Sequence, residues 1–146
     1  MQYRLVFYKD NTILGKLIKW FTKSEYCHVG ILINTNTLFD IDKGRTSRLS
    51  PFEYDENKHD IYELCGKVDD NLATNFIYSH LDKKYDMGEI LKIILNLKNI
   101  ADIDDKWICS TLVFDFIKEC TDIEINTKIK IVTPQDLVET GKIYKG

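Results

Sequence analysis

Two prolines and seven glycines in 146 residues are too few for a collagen-like or linker-like chain. Cysteine is also sparse. Cys27, Cys65, Cys109 and Cys120 fall at irregular spacings with no C-x-x-C pair, which excludes a zinc pattern and a small disulfide scaffold. No metal is expected, and free thiols in a reducing compartment are. Long apolar runs are missing: Ile90–Leu97 is broken by Lys92 and Asn96 and falls far short of the roughly 20 residues a membrane span needs. Met1–Leu5 lacks the basic and apolar segments of a secretory signal, so the expectation is cytoplasmic. The net charge is −3 and the basic residues are scattered, which counts against nucleic acid as a partner. No glycine-rich loop precedes a helix, so no nucleotide cofactor is expected.

What remains is a chain with 44% hydrophobic and 29% charged residues, ordinary for a folded domain, and its length suits one core over residues 1–146. Tyr3–Tyr8 has the β-branched and aromatic content of a strand. Ile13, Leu14, Leu17, Ile18 and Phe21 recur at helical spacing opposite Lys16, Lys19 and Lys23. That amphipathic helix packs on a sheet or, in a sharper reading, lies on a membrane. Cys27–Ile33 and Thr37–Ile41 flank Asn34-Thr35-Asn36 as a β-hairpin.

Gly44–Lys58 is polar and reads as a loop, and Asp60–Leu64 reads as a third strand. Leu72–Leu81, Met87–Leu97 and a segment opening near Cys109 or Ser110 are helical in period, and Lys128–Val132 reads as a strand. Thr133-Pro134 caps a further short helix. The fold class is α+β.

Cys109 stands where an apolar-periodic helix begins. There the helix dipole and unpaired backbone N–H groups favour a thiolate and can hold an oxyanion. The alternative is a structural cysteine, the reading taken for Cys120 near the other end of the helix. Of three histidines, His59 lies in a charged loop and His80 on a polar helix face, and both read as solvated. His28 opens an apolar strand. With a three-residue hairpin loop, Ile33 pairs with Thr37, Ile31 with Phe39 and His28 with Asp42. Val29, Ile31 and Ile33 then share the buried face with Phe39 and Ile41, leaving Asp40 and Asp42 on the face of His28. A carboxylate across or diagonal from an imidazole is the orienting half of a thiol-nucleophile triad.

Tyr26-Cys27-His28-Val29-Gly30-Ile31 resembles the Y-S-H-V-G-I strand of NlpC-type papain-like cysteine hydrolases. Cys109-Ser110-Thr111-Leu112-Val113 resembles the C-S-x-L-V opening of their nucleophile helix, and Tyr85-Asp86 and Thr133-Pro134-Gln135-Asp136-Leu137 are similar to their Y-D and T-P-x-D-L landmarks. The order His28, Asp40, Cys109 matches the circularly permuted branch, the YiiX/YaeF-like group related to lecithin:retinol acyltransferase-like proteins. In many such enzymes a polar residue follows the histidine by twelve positions, which selects Asp40 over Asp42.

The resemblance implies a papain-like fold, an antiparallel sheet packed on helices with the nucleophile at a helix N-terminus. It implies Cys109 as nucleophile, His28 as base and Asp40 as orienting acid, with Ser110, Asp42 and Tyr85 in support. It also implies an amidase or peptidase, or an esterase or thioesterase, acting on a peptide-like amide or acyl substrate. Cys27 replaces the family serine and should face away from His28. The acyltransferase N-C-E-H-F motif is not matched by Ile108–Leu112.

Two other functions stand beside this one. One is a catalytically silent papain-like binding or structural module; the Ile-, Lys-, Asn- and Asp-rich composition fits an AT-rich viral or phage source, and so a host cell or virion. The other is a lipid acyl hydrolase or transferase, which draws on Ile13–Phe21.

Overall fold

The structure is a computed structural model that describes residues 1–9, 26, 28–41, 47–81, 109–125 and 134–146, with residues 109–111 described in their backbone. The expected helices Ile13–Phe21 and Met87–Leu97, the strand Lys128–Val132, the cap Thr133, and Cys27, Asp42 and Tyr85 lie outside the described residues. Among the described residues nine elements follow one another: β1 Tyr3–Tyr8, β2 His28–Ile33, β3 Thr37–Ile41, β4 Ser47–Pro51, β5 His59–Leu64, α1 Asp70–His80, α2 Cys109–Cys120, α3 Pro134–Glu139 and β6 Ile143–Lys145. The strands form an antiparallel sheet in the order β4-β3-β2-β1-β5-β6. The class is α+β.

Alternation along β1, β2 and β3 builds this arrangement. Leu5, Phe7, Val29, Ile31 and Phe39 are fully or almost fully buried on one face, with Tyr3, Ile33, Ile41 and Tyr62 beside them. Helices α1, α2 and α3 cover that face through Phe76, Ile77, Leu112, Val113, Phe116, Ile117 and Leu137. Phe116 links the layers: its ring lies 5.7 Å from Tyr3 and 5.5 Å from Phe76. The other face carries a smaller cluster of Val6, Leu32, Leu38 and Phe52.

The hairpin register is the expected one, Ile31 to Phe39 and Ile33 to Thr37. Asn34, with φ 57°, takes the left-handed turn position that asparagine tolerates. Helix α1 begins where Asp69 accepts the Leu72 N–H at 3.0 Å, which satisfies one orphan donor of the first turn.

Three expectations need correction. Ser47–Pro51, expected in a loop, is strand β4 at the sheet edge. Its Ser-Arg-Leu-Ser pattern is mostly exposed, so no apolar alternation marks it. A short last strand, β6, pairs with β5 through Tyr62–Lys145 and Leu64–Ile143 and also went unseen. Its three residues are too few to carry a period. His59 is not solvated: it opens β5 and is 7% exposed.

Truncation of Phe116 should leave a cavity between sheet and helices, because its neighbours come from separate elements and cannot close over it together. Phe116→Ala should cost about 3–5 kcal/mol in urea unfolding. Leu49→Ala, at a half-exposed edge position, should stay within about 0.5 kcal/mol.

Candidate active site

His28 and Asp40 meet. His28 Nε2 lies 2.8 Å from Asp40 Oδ2, with the histidine side chain 23% exposed and the aspartate side chain 5% exposed. A carboxylate oxygen only accepts, so Nε2–H donates and the lone pair of the neutral ring sits on Nδ1. The contact is diagonal. The ladder pairs Ile31 with Phe39, so continuing it sets Gly30 across from Asp40 and His28 two pairs further along, on the same face.

Gly30 makes this possible. A Cβ there would meet Asp40 Cβ at 2.9 Å, Leu38 Cδ1 at 2.9 Å and the Phe39 carbonyl at 3.3 Å. The missing side chain leaves the space through which the Asp40 carboxylate passes to the imidazole.

Residues not foreseen from the sequence complete the surroundings. Tyr8 pairs with His28 on one side and with His59 on the other. Its ring stands 5.0 Å from the His28 ring and 4.6 Å from the His59 ring, both edge-on. Phe52 and Tyr54 close over His59 at 5.0 and 6.2 Å. The Asp55 N–H donates to His59 Nδ1 at 3.0 Å. Burial pushes His59 below the ordinary histidine range; Asp55 opposes the shift, and the charges of Lys58 and Lys9 add to it. Arg48 pairs with Asp40 in register and brings Nε to 3.7 Å from Oδ1. No signal in the sequence marked these contacts, since each needs strand pairing that local pattern does not encode.

Cys109 is the first residue of α2 and Ser110 the second. The Cys109 thiol and the Ser110 hydroxyl lie outside the described residues, as do Asp42 and Tyr85. The backbone still orients the helix. It packs on β2, and its C-terminal half lies at the Tyr3–Ile33 end of the central strands. There Phe116 meets Tyr3, and the Cys120 carbonyl accepts the Asp69 N–H at 2.8 Å.

At about 1.5 Å per residue, Cys109 lies roughly 10 Å back along the helix axis from Phe116. Cys109 stands at the end of α2 remote from that contact. Helix and histidine occupy opposite faces, however. The helix covers Val29 and Ile31, whereas His28 and Asp40 alternate to the other side.

The remaining titratable groups divide cleanly. Cys120 is buried, and desolvation with Glu119 and Asp69 nearby pushes its thiol up to about 12, as befits an inert core cysteine. Cys65 is exposed. His80 is half-buried rather than solvated, stacked on Phe76 at 3.9 Å with Nδ1 2.7 Å from the Phe76 carbonyl.

A second buried carboxylate, Asp60, takes the Tyr26 hydroxyl at 2.7 Å and the Lys9 and Lys145 ammonium groups at 3.2 Å each. Burial alone would raise it, but these donors outweigh burial and hold it below the usual carboxylate range. Burial raises the Tyr26 phenol well above its ordinary value, helped by its contacts with Tyr62 and Asp60. Among the described residues, no three His, Cys, Asp or Glu side chains gather as an ion would require. None of the described helices is long and apolar enough to cross a membrane. In comparison with known proteins, no family model matches the chain and no curated protein matches it.

Two outcomes follow from this geometry. Replacing a strand glycine by alanine ordinarily gains about 0.5–1 kcal/mol, but overpacking costs about 1–3 kcal/mol, so the clash with Asp40 should win. Gly30→Ala should lower stability in urea unfolding; a stabilised variant would show that Asp40 does not need the gap.

For His59 the folded value lies below the unfolded one of about 6.5. The stability it contributes is present above that pH and lost as pH falls below it, because the unfolded chain takes up the proton first. Between pH 7.5 and 5 the Tm of the wild type should fall more steeply than that of His59→Gln, measured by thermal denaturation.

Proposed function

We propose that the chain is a cysteine hydrolase of the permuted, papain-like NlpC type, cleaving an amide, ester or thioester through an acyl-enzyme. The observation that carries this reading is the buried Asp40 carboxylate bonded to the partly open imidazole of His28. A half-open histidine held in one tautomer by a shielded acid is what a general base requires, and a histidine used only for packing does not. The start of α2 at Cys109, where the helix dipole and unpaired backbone N–H groups favour a thiolate, supports Cys109 as the nucleophile.

In this mechanism His28 Nδ1 takes the Cys109 proton and the thiolate attacks the substrate carbonyl. The oxyanion is held by backbone N–H groups at the helix start. Collapse of the tetrahedral intermediate breaks the bond to the leaving group, which departs with the proton from His28. Water, deprotonated by the same nitrogen, then releases the acid and restores the thiol. Asp40 orients the ring and stabilises the imidazolium. Peptide-like amides are the favoured substrates.

The test is cysteine-resolved alkylation of the folded chain with iodoacetamide at pH 7, read by mass spectrometry. A thiolate stabilised by a helix N-terminus and an imidazolium should make Cys109 react about tenfold or more faster than exposed Cys65. Cys120 should stay unlabelled. His28→Asn and Asp40→Asn should each slow Cys109, and Asp42→Asn should have little effect. Labelling of Cys109 no faster than Cys65 would falsify the hydrolase and favour a silent binding module.

A further inference from the structure

Asp40 sits on the middle strand of three, and each flanking strand supplies it with a partner. Oδ2 accepts from His28 on β2 at 2.8 Å, and Oδ1 faces Arg48 Nε on β4 at 3.7 Å. Oδ1 is inaccessible to solvent and accepts no hydrogen bond among the described residues. A buried carboxylate oxygen without a donor is costly unless a cation stands close. Arg48 is that cation. It lies directly across from Asp40 in the β3–β4 register, whereas His28 is the diagonal partner on the other side.

A carboxylate held by one bond can turn about its terminal torsion, which is broad for aspartate. With a donor on one oxygen and a cation facing the other, one plane is favoured. We infer that Arg48 is a positioning residue for the proposed hydrolase: it clamps the second oxygen of Asp40 so that the first holds the His28 imidazole in a single tautomer. It touches no reacting atom and acts through Asp40. This inference rests on the hydrolase reading for its purpose, but the clamp itself can be tested without it.

At 3.7 Å the contact is one of charge rather than a bidentate fork, so a lysine should substitute for it. Arg48 is also half-exposed at the sheet edge, which lets it be replaced with little harm to the core.

The experiment is two-bond proton–nitrogen correlation NMR of the imidazoles in the full chain, combined with the alkylation assay. In the wild type, His28 should show the single tautomer protonated at Nε2. In Arg48→Ala the His28 signals should move to a mixture of tautomers, while His59, held by the Asp55 N–H, keeps its own and reports an intact fold. Arg48→Lys should restore the single tautomer.

Cys109 alkylation should slow about tenfold in Arg48→Ala, within the roughly hundredfold that an ångström of misplacement can cost, and recover in Arg48→Lys. A single His28 tautomer in Arg48→Ala overturns the clamp, and so does a loss that lysine does not restore. If the tautomer responds as expected but Cys109 is no more reactive than Cys65 in the wild type, the clamp stands and the hydrolase reading falls.

Discussion

Val29 and Ile31 of β2 and Phe39 of β3 must all lie against the helices, and that demand sets which residues of the two strands stand opposite one another. A slip by one residue would turn Asp40 into the apolar layer and Phe39 out of it, exchanging a paired charge for a buried unpaired one. Everything at the candidate site follows from this register. His28 and Asp40 fall on the same side because their neighbours Val29 and Phe39 fall on the other, and Gly30 falls between them because strand periodicity leaves it nowhere else. The pairing that builds the core therefore also builds the acid–base pair.

Among the described residues two aspartate carboxylates are buried, and their surroundings differ. Asp60 is saturated, with a phenol and two ammonium groups on its oxygens, and is suited to tying Tyr26 and the last strand to β5. Asp40 has a single hydrogen bond among the described residues and a cation at longer range. Its principal partner is a histidine that is itself partly open to solvent. A saturated carboxylate holds structure, whereas one that spends its bond on a titratable ring can respond to that ring gaining a proton. This contrast is the physical reason to look for chemistry at His28 rather than at the larger polar cluster around Asp60.

The relation of α2 to the pair gives the proposed chemistry a geometric condition. The helix covers one face of β2, and the imidazole stands on the other. Helix dipole and imidazole can cooperate only around an end of β2, since the strand itself separates the two faces everywhere else. Tyr8 and His59 continue the aromatic row away from His28 and shield that flank, so the approach lies around the end of β2.

Much of this was legible before any coordinates. Alternation in Tyr3–Tyr8, the Asn-containing hairpin with its register, the helix opening at Cys109 and the Pro134 start of α3 all rest on local periods and turn chemistry, which a short window of residues contains. The choice of Asp40 over Asp42 came from a resemblance in spacing; Asp40 contacts His28, and Asp42 lies outside the described residues.

Other features were not legible. Strand β4 has too little buried surface to impose a pattern, and β6 is too short to show one. With β4 unseen, Arg48 had no reason to be placed beside Asp40. His59 looked like a loop charge because its aromatic cover of Tyr8, Phe52 and Tyr54 comes from β1 and from the segment between β4 and β5. The sequence by itself determined which residues alternate inward and where helices begin, because those depend on neighbours a few positions away. Only the tertiary structure decided which strands lie side by side, which face α2 covers and which cation reaches Asp40, because those contacts join residues whose separation along the chain carries no periodic signal.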